Sequence, residues 1–145
     1  MERVTSILNR KQRHLHTVSP DAYVTNALQQ MRSENVDYLV VINEEERFVG
    51  LLTDSDVATR VVFGRGPLTN IRVRDVMNTH LPVVTVSDTV EQCMRAMRQY
   101  TVRFLPVFDG FDFQGIVSSD DILNEVVENR MLIFDPEEDQ SYVFA

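Results

Sequence analysis

This chain has one cysteine, one lysine and no long apolar run, and each scarcity excludes something. With only Cys93, no internal disulfide can form. Cys93 lies on an apolar helical face and reads as a small core residue suited to a reducing compartment. No apolar stretch approaches the ~18 residues of a membrane-crossing helix. Met1-Glu2-Arg3 opens the chain without the hydrophobic segment of a secretory signal. A cytoplasmic location, with no membrane partner, is expected. The net charge of −8 argues against nucleic acid as a partner, because the phosphate backbone selects for positive charge. Catalytic signatures are also missing. There is no Walker loop and no nucleophile–base–orienter set. Asp120 and Asp121 are adjacent on a helix, so their side chains diverge and cannot act as a dyad. His14, His16 and His80 lack carboxylate or thiolate partners at metal-ligand spacing and read as solvent-exposed. No catalysis, no metal and no required cofactor are expected.

What the chain does have is a repeat. Val24, Ala27, Leu28, Met31 and Arg32 return, shifted by 66 positions, as Val90, Cys93, Met94, Met97 and Arg98. Val36, Tyr38, Leu39 and Val41 return as Val102, Phe104, Leu105 and Val107. After a one-residue deletion, Gly50-Leu51-Leu52-Thr53-Asp54-Ser55-Asp56 meets Gly115-Ile116-Val117-Ser118-Ser119-Asp120-Asp121. A repeat this long describes one unit built twice. The 145 residues and 43% hydrophobic content suit one compact domain or two tightly joined halves.

Each half reads strand, helix, strand, strand, helix. Val24, Ala27, Leu28 and Met31 mark one face of a helix, with Ser19-Pro20-Asp21 as its start. Tyr38 to Ile42 is a short buried strand, Asn43 to Glu46 a turn, and Phe48 to Leu52 a second strand. Asp54 to Phe63 is helical and stops at Gly64. In the second half, a helix runs from after Asp88 to Tyr100. Strands cover Phe104 to Phe108 and Phe113 to Val117, and a last helix spans Ser119 to Asn129. Val4, Ile7 and Leu8 predict a short N-terminal helix leaning on the body. The expected domains are 1–66, 67–130 and an acidic tail, 131–145, frayed or draped on a partner.

The sharpest local motif is Gly-apolar-apolar-Thr/Ser-x-x-Asp, present twice. Its plain structural meaning is a capping box, in which a hydroxyl caps the helix and an acid three residues on returns to its first amide. The same geometry suits a ligand. A strand ending on a helix N-terminus presents free amides and a positive dipole end. A hydroxyl and a carboxylate there fit the two hydroxyls of a ribose, and the flanking apolar strands offer a slot for a flat base.

The duplicated pattern resembles a tandem pair of CBS domains, a Bateman module, over roughly residues 4 to 129. Arg74-Asp75-Val76-Met77 is similar to the family's entry to a second repeat, with Asn78 where Thr is usual. Arg103-Phe104-Leu105-Pro106-Val107 is similar to its Arg-Arg-Leu-Pro-Val strand, with Phe104 replacing the second Arg. The resemblance implies an α/β fold of two β-α-β-β-α repeats related by a pseudo-two-fold. It also implies an adenosine-containing ligand in the inter-repeat cleft: AMP, ADP, ATP, NAD, S-adenosylmethionine or a cyclic dinucleotide. By the same resemblance the ribose residues are Thr53 and Asp56 in one copy, Ser118 and Asp121 in the other. The adenine-lining positions are Val36, Asp37, Tyr38, Val102 and Phe104, with Pro106 beside them, and Arg103 is placed to touch phosphate.

The copies differ at one telling position. Arg103 corresponds to Asp37, so the second site is expected to prefer an anionic ligand. Arg60, one turn after Asp56, reads as half of a surface pair. Arginines cluster from Arg3 to Arg13 and at Arg65, Arg72 and Arg74, as a solvated face or an anion-facing rim. Val57, Val61 and Val62, with Ile122, Leu123, Val126 and Val127, offer more apolar surface than one short helix needs, which predicts a homodimer. The leading expectation is a stand-alone regulatory module that passes its signal to an unidentified protein. The alternative is a ligand-free dimerisation scaffold in which both boxes are only caps.

Overall fold

A computed structural model describes residues 3–11, 15–64 and 66–129. The acidic tail, His14, Arg13 and Arg65 lie outside the described residues. The chain divides into two compact units, one from His14–Leu81 and one from Met1–Arg13 with Pro82–Ala145.

The 14–81 unit holds β1 (Thr17–Val18), α2 (Val24–Glu34), β2 (Tyr38–Ile42), β3 (Phe48–Thr53) and α3 (Asp54–Phe63), after the N-terminal α1 (Val4–Arg10). Its sheet runs β1-β2-β3, parallel and then antiparallel. The periodic face of α2 buries Val24, Ala27 and Met31 against Leu39, Val41 and Leu52 of the sheet and Val57 of α3. The helix begins later than its sequence suggests. Tyr23 is the N-cap, and Ser19-Pro20-Asp21 forms the turn before it, with Ser19 C=O accepting from Ala22 N–H at 3.1 Å. Proline and a serine acceptor favour that turn over a helical start. Glu46, at φ 59°, closes the β2–β3 turn under Asn43, whose side chain accepts from the Glu45 and Arg47 amides.

The second unit repeats this plan with β4 (Val84–Thr85), α4 (Val90–Tyr100), β5 (Phe104–Asp109), β6 (Asp112–Ser118) and α5 (Ser119–Asn129). Its sheet order is β4-β5-β6. Its core gathers Val90, Cys93, Met94 and Met97 of α4 with Leu105, Val107, Val117 and Ile122. Burial and, after it, the nearby Asp88 charge push the Cys93 thiol up to about 12.

The compact units group the chain differently from the expected repeats, 1–66 and 67–130. Residues 67–81 stay with the first unit, because Val73 and Arg74 donate to the Ala22 and Pro20 carbonyls and Ile71 accepts from Val24 N–H. Asn78 then pairs with Leu51 through two backbone bonds of 3.0 and 2.8 Å. That crossing passes directly over Gly50, where a Cβ would lie 3.0 Å from Asn78 O. The N-terminal helix belongs with the second unit instead of the first. Val4 and Ile7 complete its core, Val4 N–H donates to Asp88 O, and Leu8 closes over Gly115.

Candidate functional site

The strand-to-helix ends are built alike in the two units. In the first, Thr53 Oγ1 accepts from Asp56 N–H at 3.1 Å while Asp56 Oδ2 accepts from Thr53 N–H at 3.1 Å and from its hydroxyl at 2.9 Å. In the second, Ser118 Oγ accepts from Asp121 N–H at 3.1 Å, and Asp121 Oδ2 accepts from Ser118 N–H at 2.8 Å. Both motifs are therefore genuine capping boxes. Each leaves part of its carboxylate's acceptor capacity for another donor.

The proposed base-side residues come to the same place by two devices. Asn35 and Thr101 end α2 and α4 in the left-handed conformation, and the next amides, of Val36 and Val102, return to the Met31 and Met97 carbonyls. The carbonyls of Asp37 and Arg103 then accept from the first helical amides, Asp54 N–H at 3.0 Å and Ser119 N–H at 2.8 Å. Sheet register does the rest. Tyr38 lies opposite Thr53, Phe104 opposite Ser118, and buried Pro106 opposite Ile116. Each unit thus brings its hydroxyl, carboxylate and aromatic candidates together. Val36 and Val102 pack partly against their own units' cores, which limits how much apolar face they leave to a ligand.

Several polar residues have structural partners that the sequence did not reveal. His16 is half-buried, contacts Glu34 Oε1 through Nδ1 at 2.9 Å and meets Tyr38 edge-on, so it is not the solvent-exposed histidine expected. Arg103 stacks over the Phe104 ring, 5.2 Å from its centroid. Arg72 donates to Asp21 O at 2.5 Å and covers the Tyr23 ring, and Arg74 pairs with Asp21. These arginines brace their own unit. Among the described residues no group of three potential ligands could hold a metal, and no helix is long and apolar enough to cross a membrane.

Both units carry a cavity beside the box. One of about 350 Å³ is lined by Asp56, Thr59, Arg60 and Phe63 of α3 with Asp75 and Val76 opposite. The other, about 140 Å³, is lined by Asp121, Asn124, Glu125 and Glu128 of α5 with residues of α1 opposite. The four helix positions are the same in both copies. The acid of each set stands out in the sequence, as does Arg60 one turn after Asp56. The others follow from helical spacing, since positions three, four and seven residues on share its face. Lys11, the single lysine, was equally unforeseen: its Nζ donates to Asp121 Oδ2 at 2.7 Å and to Ile116 O at 2.8 Å.

The CBS domain family model matches residues 4–62 and 73–128. A CBS domain-containing protein of Bacillus subtilis, YhcV, is 29% identical over 88% of this chain and 89% of its own length. An uncharacterised protein of Methanocaldococcus jannaschii is 28% identical over 87% of this chain. The chain spans about a third of that relative, 32% of its length. Among solved structures, a putative signal-transduction protein with CBS domains from Burkholderia ambifaria superposes with a TM-score of 0.81 at 27% identity, covering 92% of this chain and 98% of that one. CBSX2, solved in complex with AMP, superposes with a TM-score of 0.74 at 22% identity over 90% and 100%, a likeness of fold.

Proposed function

Because this chain belongs to the CBS domain family, we propose that it is a regulatory module, not an enzyme, and that it binds an adenine nucleotide or another adenosine-containing molecule. The observation that carries this reading is the duplicated strand end, where the hydroxyl lies opposite an aromatic and bonds a carboxylate that lines a cavity in each unit. The carboxylate of Asp56 or Asp121 accepts ribose hydroxyls, and Thr53 or Ser118 adds an oxygen next to it. Tyr38 and Phe104, with Val36, Val102 and Pro106, flank the base. The AMP bound by CBSX2 belongs to the same chemistry and makes AMP, ADP and ATP the first ligands to try, with NAD and S-adenosylmethionine after them. A cytoplasmic location is part of this reading and rests on the lone, buried cysteine.

A homodimer belongs to the same proposal, with narrower contacts than the sequence suggests. Val57 and Ile122 are buried in their own units and Val126 packs on its core. The exposed apolar residues are Val61, Val62 and Phe63 on α3 and Leu123 and Val127 on α5. A second copy covering these faces would remove them from water.

A thermal-shift screen with AMP, ATP, NAD and S-adenosylmethionine tests the ligand. A ligand present at ~100 times its Kd adds about 2.7 kcal/mol of stability. A stabilising shift with at least one of the four is expected. No shift with any of them, together with a dimer in solution, favours the scaffold reading, in which both boxes are only caps.

A further inference from the structure

The two cavities stand on equivalent helix positions but differ in what their cations are doing. In the second unit the cations come from α1 and are already engaged. Lys11 holds Asp121, and Arg10 Nη2 donates to the buried Glu125 at 2.5 Å. In the first unit the cation is Arg60, on α3 itself, at the place Glu125 occupies in the second. The surface pair expected with Asp56 is not formed. Among the described residues no ion pair joins Arg60 to Asp56 or Asp75, although all three line the same cavity, and the Arg60 Nε is buried without a hydrogen-bond partner.

A buried guanidinium N–H with no acceptor costs free energy that an incoming oxygen would recover. The stem of Arg60 runs close over Gly64, where a Cβ would lie 2.7 Å from its Cδ and 2.8 Å from its Nε. Asp56 lies about one helical turn away, ~5.4 Å along the axis, a span comparable with that from ribose hydroxyls to a 5′-phosphate. Asp75 and Asp56 are the charges that oppose an anion here; the Arg72 amide partly satisfies Asp75 at 3.0 Å, and the Thr53 amide and hydroxyl partly satisfy Asp56.

We propose that the α3 cavity is the phosphate subsite of the bound nucleotide and that Arg60 is the residue that binds the phosphate. The assignment rests on the nucleotide reading above. It moves the anion preference from the second copy, where Arg103 suggested it, to the first. Guanidinium suits the role because its fork meets two phosphate oxygens at once.

The test is calorimetric titration of the full chain and of Arg60→Gln with AMP, adenosine and inorganic pyrophosphate. Circular dichroism and the unfolding midpoint confirm that the variant folds. The expected result is an AMP affinity at least tenfold weaker in Arg60→Gln, adenosine changed less than twofold, and pyrophosphate binding lost. Arg60→Lys, which keeps the charge without the fork, is expected to fall between. Equal losses for AMP and adenosine, or unchanged AMP, overturn the assignment. So does loss of AMP discrimination in Arg103→Gln with none in Arg60→Gln. If the wild-type chain binds neither AMP nor adenosine, the nucleotide reading fails, and pyrophosphate decides the subsite alone. Arg60-dependent pyrophosphate binding then supports an anion site, and no pyrophosphate binding overturns it.

Discussion

Removing the two repeat-equivalent acids is expected to cost different amounts, because only one of them carries an ion pair. Asp56→Ala loses a capping box: the Thr53 amide and hydroxyl lose their acceptor and the helix loses a charge near its positive end. Losses of this kind are about 1 kcal/mol. Asp121→Ala loses the same box and also the Lys11 contact. Lys11 and Asp121 are 29% and 18% exposed, between a surface pair and a buried one, and the contact is charge-assisted. It adds about 1 kcal/mol, at the upper end for exposed pairs. Both substitutions gain the same helix propensity from alanine, so the difference reports the ion pair less the Thr53 hydroxyl bond that Asp56 alone accepts. At roughly 3 °C per kcal/mol for a chain of this size, Asp56→Ala is expected to lower Tm by ~3 °C and Asp121→Ala by ~6 °C. A double-mutant cycle with Lys11→Met, followed by urea unfolding, completes the measurement. After Asp121→Ala, losing Lys11 should cost only its bond to the Ile116 carbonyl, giving a coupling of about 1 kcal/mol with Asp121. Additive losses, with coupling below ~0.3 kcal/mol, would refute the claim that Lys11 acts through Asp121.

The remaining predictions concern separate parts of the molecule. If ribose binds first at the unit whose acid is not ion-paired, Asp56→Ala weakens AMP by about 1.5–3 kcal/mol, read by calorimetry, and unchanged affinity would remove Asp56 from the site. Thr101 is β-branched and sits at φ 53°, so Thr101→Gly is expected to raise stability by roughly 0.5–1 kcal/mol, and a lower urea midpoint would contradict the strain argument. The Cys93 thiol is raised from 9.0 to about 12 in the folded chain, so stability is full below pH 9 and falls between pH 9 and 12 as the unfolded thiol ionises first. Cys93→Ala should flatten that loss, and Cys93 should resist thiol reagents at pH 8 until the chain is unfolded. Light scattering tests the dimer, with Val62→Lys plus Val127→Lys expected to halve the mass of a dimeric wild type.

The repeat made the fold legible, because a duplicated unit states its pattern twice. Strand β2 and helices α3 and α5 fall where apolar spacing put them, bounded by Asn43, Gly64 and the two hydroxyl caps. Local signal says less where long-range packing takes over. Ser19-Pro20-Asp21 looks like a helix start, yet Tyr23 takes the cap, because Val73 and Arg74 pair with this segment from a distant part of the chain. The N-terminal helix was read with its sequence neighbour, but Val4 and Ile7 fill a core whose other members begin at Val84. Alternation of His14 and His16 could not reveal Glu34 as the partner of His16, since that contact depends on how α2 packs on the sheet.

Duplication also explains why the candidate sites differ although their scaffolds agree. The backbone devices are shared: left-handed residues at 35 and 101, carbonyl caps from 37 and 103, and a hydroxyl box on each helix. These depend on conformation and tolerate exchange among Ser, Thr, Asn and Asp. The facing wall depends on which earlier segment lies there. A 3-10 turn, Val73–Asp75, brings an acid to the first cavity, while α1 brings Arg10 and Lys11 to the second. Charge on the helix is reversed to match. Glu125 answers Arg10 in the second unit, and the same position in the first holds Arg60 facing a wall that contains Asp75 but forms no pair with it. Placing Arg60→Glu in the first unit should therefore turn its cavity wholly acidic and abolish any response to a phosphorylated ligand there. Glu125→Arg should destabilise the second unit, read as a lower urea midpoint, because Arg10 would lose its contact with Glu125 and meet a like charge at a buried position.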